Sequence, residues 1–244
     1  MENTGFLDKT KLKEYALKYA AFFSDIRKRL LLVIIVFAVS TLIGFSTYGQ
    51  ILKFLVGTFS LEGINIVFTS PFQFINLAIS CGLATGIIIA FPLLLYEILS
   101  FLKPALRERE YKTIVKYIPL SLLLFLIGFV FGVFIMKWQI NIFIDRSVTL
   151  GIGNILDISK LLSVVLLTSA LMGLGFQFPI VLLILMKLGI LKRQGLTRIR
   201  KWVYLGSFLF ALLLPPDSIL ADVLLSFPLI ILYEFTILIG RRWS

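Results

Sequence analysis

Carboxylates are few in this chain, 13 against 24 Lys and Arg, and two groups of them sit inside strongly basic runs. Asp25 stands in Ser24-Asp25-Ile26-Arg27-Lys28-Arg29, and Glu108 and Glu110 alternate with Arg107 and Arg109. A carboxylate can accept a guanidinium through two parallel hydrogen bonds, so both places can offer a site for a cationic ligand, arginine above all. The plainer readings are local. Asp25 lies four residues before Arg29, the spacing of a helical ion pair. The glutamates can trade weak surface bridges with their neighbours. Three more polar groups, Glu97, Gln177 and Glu234, fall within apolar sequence, where ionisable or amide side chains are functional candidates. Glu97 and Glu234 lie toward the ends of their runs. Gln177 is central, and its amide needs a partner, either on another helix of this chain or on a second protein.

Other chemistry is excluded by composition. The chain has no histidine and one cysteine, Cys81. His-based triads, HExxH zinc sites, Cys-rich metal sites and an internal disulfide therefore drop out. No Walker motif is present to bind ATP. We expect no catalytic residue, no metal and no cofactor.

The elements that position these residues are membrane spans. Of the 244 residues 59% are hydrophobic and only 15% charged, and the mean hydropathy is +1.01. That exceeds what a soluble domain can cover. Six apolar runs read as spans, at 30–46, 72–102, 118–136, 161–188, 202–214 and 219–240. All Lys and Arg except Lys53, Lys137, Arg146 and Lys160 fall on one side of this arrangement. The positive-inside rule then puts both termini in the cytoplasm. The net charge of +11 is accounted for by topology and does not require nucleic acid.

The chain divides into a cytoplasmic or interfacial segment (1–29), a six-helix membrane domain (30–240) and a short basic tail (241–244). No cleavable secretory pattern precedes the first span, which reads as a signal anchor. Leu12, Tyr15, Tyr19, Phe22, Ile26 and Leu30 recur at helical spacing, the pattern of an amphipathic helix in the interface. The fifth run is short and stops at Pro215 and Pro216; Asp217 is the expected N-cap of the returning helix. Gly173, Gly175 and Pro179 predict a bend in span four. Gly82 with Gly86, Gly128 with Gly132, and Ser169 with Gly173 predict close helix contacts.

Several motifs now stand in chain order. Asp25-Ile26-Arg27-Lys28-Arg29-Leu30 resembles the E-L-R-x-R-L entry of the TatC family, the multispanning receptor subunit of the twin-arginine protein translocase. Phe91 to Glu97 and Phe101-Leu102-Lys103-Pro104-Ala105-Leu106 resemble its P-x-x-x-Y-Q and F-x-x-P-A-L segments, followed by Glu110. Phe176-Gln177-Phe178-Pro179 resembles F-E/Q-x-P, Leu214-Pro215-Pro216-Asp217 resembles T-P-P-D, and Leu232-Tyr233-Glu234 resembles L-Y-E. Ala221 stands where a glutamine is frequent.

The resemblance implies an all-α polytopic fold of six transmembrane helices, both termini cytoplasmic, in a concave glove-like arrangement with short fifth and sixth spans. It implies a non-enzymatic subunit that binds the twin-arginine signal peptide of folded precursors and is driven by the proton-motive force. Its signal-binding surface maps to Asp25, Glu108 and Glu110, with Phe101 and Pro104 shaping it. Its docking point for a TatA- or TatB-type single-span protein maps to Gln177, Pro179 and Asp217. Self-association within a receptor complex is also implied. The expected location is the bacterial plasma membrane, with thylakoid and mitochondrial inner membranes open. The alternative is a small secondary transporter, against which stand the absence of an internal repeat and of paired ionisable groups at mid-membrane.

The charge sorting yields the first prediction. Thr10→Cys, Gln194→Cys and Ser244→Cys label with a membrane-impermeant thiol reagent only from the cytoplasmic side. Gly63→Cys, Asn154→Cys and Ser218→Cys label only from the opposite side. Reversed labelling at any two positions contradicts six spans.

Overall fold

The computed structural model describes residues 4–59, 65–67, 72–103, 106–149, 155–215 and 218–241. The elements in chain order are α1 (Thr4–Ser46), α2 (Tyr48–Phe59), β1 (Asn65–Val67), α3 (Gln73–Leu102), α4 (Glu108–Val115) and α5 (Ile118–Thr149). There follow β2 (Ile155–Asp157), α6 (Ile158–Gly175), α7 (Phe178–Lys187), α8 (Arg193–Arg198), α9 (Arg200–Leu212) and α10 (Ile219–Gly240). A backbone without water must satisfy its own N–H and C=O groups, and helices do so within one segment.

Spans one to four and six are α1 from Ser24, α3, α5, α6 with α7, and α10, all long and apolar enough to cross a bilayer. Span five is α9, 13 residues or about 20 Å of helix, short of the roughly 30 Å of hydrocarbon. Its turn back places Ser218, not Asp217, at the N-cap position of α10, with no side-chain cap bond. Pro216 and Asp217 lie outside the described residues.

Two extents differ from the sequence expectation, and the bend expected in span four is present. α1 runs unbroken through position 29, because no Gly or Pro lies between Phe6 and Ile43 to stop it. The amphipathic stripe from Leu12 to Phe22 lies outside the described side chains. α5 continues from Met136 to Thr149. Lys137, Asp145 and Arg146 limit where lipid can lie and do not end a helix. Span four breaks at Phe176–Gln177 into α6 and α7, with Pro179 in the first turn of α7, where its missing N–H costs nothing. Gly189, at φ +72°, ends α7 in the left-handed conformation that favours glycine.

One feature had no signal in the sequence. β1 and β2 pair in parallel, Asn65 opposite Ile155 and Val67 opposite Asp157, on the side away from the basic loops. Asp157 then caps α6 by accepting from the N–H groups of Ser159 (3.0 Å) and Lys160 (3.2 Å). It also accepts from Gln73 Nε2, and Ser159 Oγ donates to the Gln73 carbonyl, both at 2.5 Å. The outer ends of α3 and α6 are thereby tied together.

α3 is the central helix. Leu77, Cys81 and Ala84 pack against Leu162, Val165 and Ala170 of α6, in a cluster completed by Met136 and Ile140 of α5. Its other face meets α1 across small residues. A Cβ on Gly82 would lie 2.6 Å from the Thr41 carbonyl, and one on Gly44 would lie 2.6 Å from Thr85 Cβ. The α5–α6 contact is built likewise: a Cβ on Gly132 would lie 2.6 Å from Ser169 Cα, and one on Gly128 would lie 2.7 Å from the Met172 carbonyl. The small residues noted in the sequence lie at helix contacts, Gly132 against Ser169, Gly82 and Gly86 against Thr41, and Gly173 against Phe125, as close packing in lipid requires. A second cluster, Met172, Phe176, Ala211, Ala221 and Leu225, joins α6, α9 and α10.

The contacts predict an asymmetry among glycines. Gly132→Ala forces α5 from α6 and lowers stability in detergent by about 1–3 kcal/mol, the usual range for overpacking. Gly206→Ala, whose Cβ meets nothing within 4 Å, changes stability by no more than about 1 kcal/mol and in the stabilising direction, because alanine favours a helix interior over glycine. Equal effects contradict the packing account.

Candidate functional site

The candidate residues occupy three separate places, each set by a different pair of helices. The first is the cytoplasmic end of α1 and α3. Asp25 is exposed on α1, and among the described residues it makes no ion pair with Arg29. Arg29 instead crosses to α3, where its Nη1 donates to Glu97 Oε2 at 2.9 Å. Glu97 and Phe101 are four residues apart, on one face of α3. With Arg29, Ile26, Leu30 and Val33 they line a cleft of about 160 Å³. The local i,i+4 pairing expected for Asp25 therefore loses to a contact 68 residues away, and the Asp25 carboxylate stays in water. Pro104 lies outside the described residues.

The second place is the start of α4. Glu110 is the third residue of that helix, and its Oε2 accepts from the Arg107 N–H at 2.9 Å. Glu108 is exposed in the first turn. Both carboxylates sit in the first turn of α4, at the positive end of the helix dipole, where negative charge stabilises the helix. Among the described residues neither forms an ion pair with a neighbouring arginine, so the expected exchange of surface bridges is not seen. Glu110 instead lines a hollow of about 210 Å³ with Arg109, Thr113, Tyr117, Ile184 and Lys187. Lys187 Nζ donates to Tyr117 OH at 3.1 Å and lies 5.1 Å from its ring centroid. Lys103, at the end of α3, lies 5.7 Å from the Tyr111 ring centroid and so holds α4 to α3. The Glu97–Phe101 cleft and the Glu110 hollow share no lining residue.

The third place is the bend in span four. Gln177 accepts a short hydrogen bond at Oε1 from Ser121 Oγ. Its Nε2 donates to the carbonyls of Ser121 (3.2 Å) and Gly173 (3.3 Å). The amide thus has partners within the chain, on α5 and on α6. Pro179 is buried. Beside Gln177 opens an apolar hollow of about 610 Å³ between α6–α7 and α9, with Phe178, Val181, Trp202 and Phe210 in its walls. Asp217 lies outside the described residues.

Glu234 is engaged elsewhere. It pairs with Arg200 at 3.0 Å and accepts from Tyr204 OH at 2.5 Å, while Tyr233 OH donates to the Leu196 carbonyl at 2.7 Å. These bonds clasp the cytoplasmic ends of α8, α9 and α10. Sequence reading missed Asp222, a buried carboxylate in the first turn of α10. The signal was a polar residue next to Ala221, where a glutamine is frequent in the family it resembles.

Comparison with known proteins bears on the whole chain. The family model for the Sec-independent protein translocase protein TatC matches residues 21–228. The chain is 32% identical over 239 residues to the TatCy protein of Bacillus subtilis (strain 168), covering 95% of this chain and 92% of that protein. It is 29% identical over 224 residues to the TatC protein of Aquifex aeolicus (strain VF5), covering 89% and 92%. A crystal structure of the twin-arginine translocase receptor TatC superposes with a TM-score of 0.78 at 27% identity, over 90% of this chain and 98% of that one. A multi-pass membrane protein of six spans, the chain belongs to the TatC family, components of the Sec-independent protein translocase and not enzymes.

Proposed function

We propose that this translocase subunit is the receptor for twin-arginine signal peptides of folded precursor proteins, and that transport is driven by the proton-motive force. The observation that carries the reading is Glu110. Flanked by Arg109 and Lys112, it forms no ion pair among the described residues and borders an open hollow. Its one hydrogen bond, to the Arg107 N–H, holds the carboxylate in place and leaves its charge for a guest. Asp25 and Glu108 offer further exposed carboxylates, and Phe101 lines the cleft at the cytoplasmic end of α1 and α3. A guanidinium forks onto a carboxylate where an ammonium does not, which suits a signal read as two arginines.

The second part of the reading concerns the hollow beside Gln177. A single-span helix of the TatA or TatB type fits an apolar groove with one amide at its edge, beside the bend that Pro179 opens. Self-association of the receptor belongs to the same reading, and the bacterial plasma membrane is its setting.

Two substitutions test these parts. Glu110→Gln keeps an oxygen to accept from Arg107 and so keeps α4, but removes the charge. It weakens binding of a twin-arginine precursor about 10- to 150-fold, the worth of one charge-assisted bond, with protein abundance unchanged. Wild-type affinity in this variant contradicts the receptor reading. Gln177→Leu removes an interhelical bond of a kind averaging only about 0.6 kcal/mol in membranes. It leaves abundance and precursor binding near wild type, while crosslinking between Trp202 and a partner helix falls. Reduced abundance with normal transport per molecule assigns Gln177 to packing alone.

A further inference from the structure

The Arg29–Glu97 pair is more than a tie between two helices. It is partly open, with the Arg29 side chain 34% and the Glu97 side chain 13% exposed. One N–H meets one oxygen at 2.9 Å, so the guanidinium is not forked onto the carboxylate. Among the described residues the second Glu97 oxygen takes no further bond. The pair forms one wall of a cleft whose other walls are apolar, with Phe101 one helical turn further along α3. Glu97 therefore holds a guanidinium already, at the membrane surface, beside room for an apolar chain.

We propose, building on the receptor reading above, that Glu97 is a further carboxylate for the signal's arginines, and that Arg29 is an internal competitor occupying it in the empty receptor. An incoming guanidinium replaces Arg29 at no loss of charge-assisted bonds, and gains the forked geometry that Arg29 does not reach. Arg29 returns to the water beside Arg27 and Lys28, both exposed. The apolar residues after the signal's arginines lie along Leu30, Val33 and Phe101. An ammonium cannot fork, so it displaces Arg29 less well.

An internal competitor reduces the fraction of receptor that is open to ligand, and so weakens every ligand by the same factor. That gives a signature a structural clamp does not share. The probes are a twin-arginine peptide with its apolar segment and the twin-lysine version, titrated against the full-length protein in detergent. Arg29→Gln tightens both peptides by the same factor, roughly two- to fivefold, the range for partly exposed ion pairs. Glu97→Gln weakens the twin-arginine peptide about tenfold or more. In the Glu97→Gln background, Arg29→Gln changes nothing. Should Arg29→Gln fail to accumulate, Arg29→Lys keeps the charge and tightens binding by a smaller factor.

The exchanged pair, Arg29→Glu with Glu97→Arg, separates the two roles. It restores the salt bridge and abundance, yet binds the twin-arginine peptide no better than Glu97→Gln does. Wild-type binding by the exchanged pair, or weaker binding in both Arg29→Gln and Arg29→Lys, overturns the proposal and leaves a clamp. If wild type does not prefer the twin-arginine peptide, the receptor reading fails first, and this inference with it.

Discussion

Lipid tails are as apolar as leucine, so six apolar helices gain little by leaving lipid for one another. What holds them is close approach. Gly82 and Gly86 receive α1 on one face of α3, and Gly128 and Gly132 receive α6 on α5. Where the backbones come that near, dispersion contacts are dense and side chains have nowhere to move. The functional geometry depends on this. α3 is fixed on both sides in mid-membrane, and its cytoplasmic end carries Glu97 and Phe101 to a set height beside α1. The turn after it delivers α4 and Glu110.

Charge then works at the ends of helices that packing has fixed. Arg29 and Glu97 meet because α1 and α3 are already side by side. Glu234 binds Arg200 and Tyr204 because α9 and α10 form a hairpin. At the opposite end Asp157 collects Gln73, Ser159 and Lys160. Polar bonds thus gather at the two surfaces and at one internal bend, where Gln177 bonds with Ser121. Span five, too short for the bilayer on its own, is held against α10 and α6 by Ala211 and Leu214.

The spans were legible because composition acts over whole segments. The bend at Pro179 and the small-residue contacts were legible because backbone constraints are local. Contacts between distant residues were not. Asp25 has the right spacing for Arg29, but no rule of spacing shows that Glu97, 68 residues on, takes that arginine. Nor does it show that Ser121 answers Gln177. β1 and β2, three residues each, are too short to leave a period. Asp222 went unread because its burial comes from the helices packed against α10, which spacing along α10 does not show. Among the candidate residues, chemical type was readable and pairing was not. The resemblance joined Phe101 and Glu110 in one surface, and the structure sets them in hollows that share no lining residue.

The central claim is that carboxylates at the cytoplasmic ends of α1, α3 and α4 receive the arginines of a signal peptide. The most direct measurement is site-specific crosslinking in membranes. A photoreactive residue is placed beside the twin arginines of a precursor, with the twin-lysine precursor as control. The account predicts crosslinks to the segments around Asp25, Phe101 and Glu110 with the twin-arginine precursor, and their loss with twin lysine. Equal crosslinking by both precursors, or adducts confined to the opposite side near β1 and β2, would contradict it.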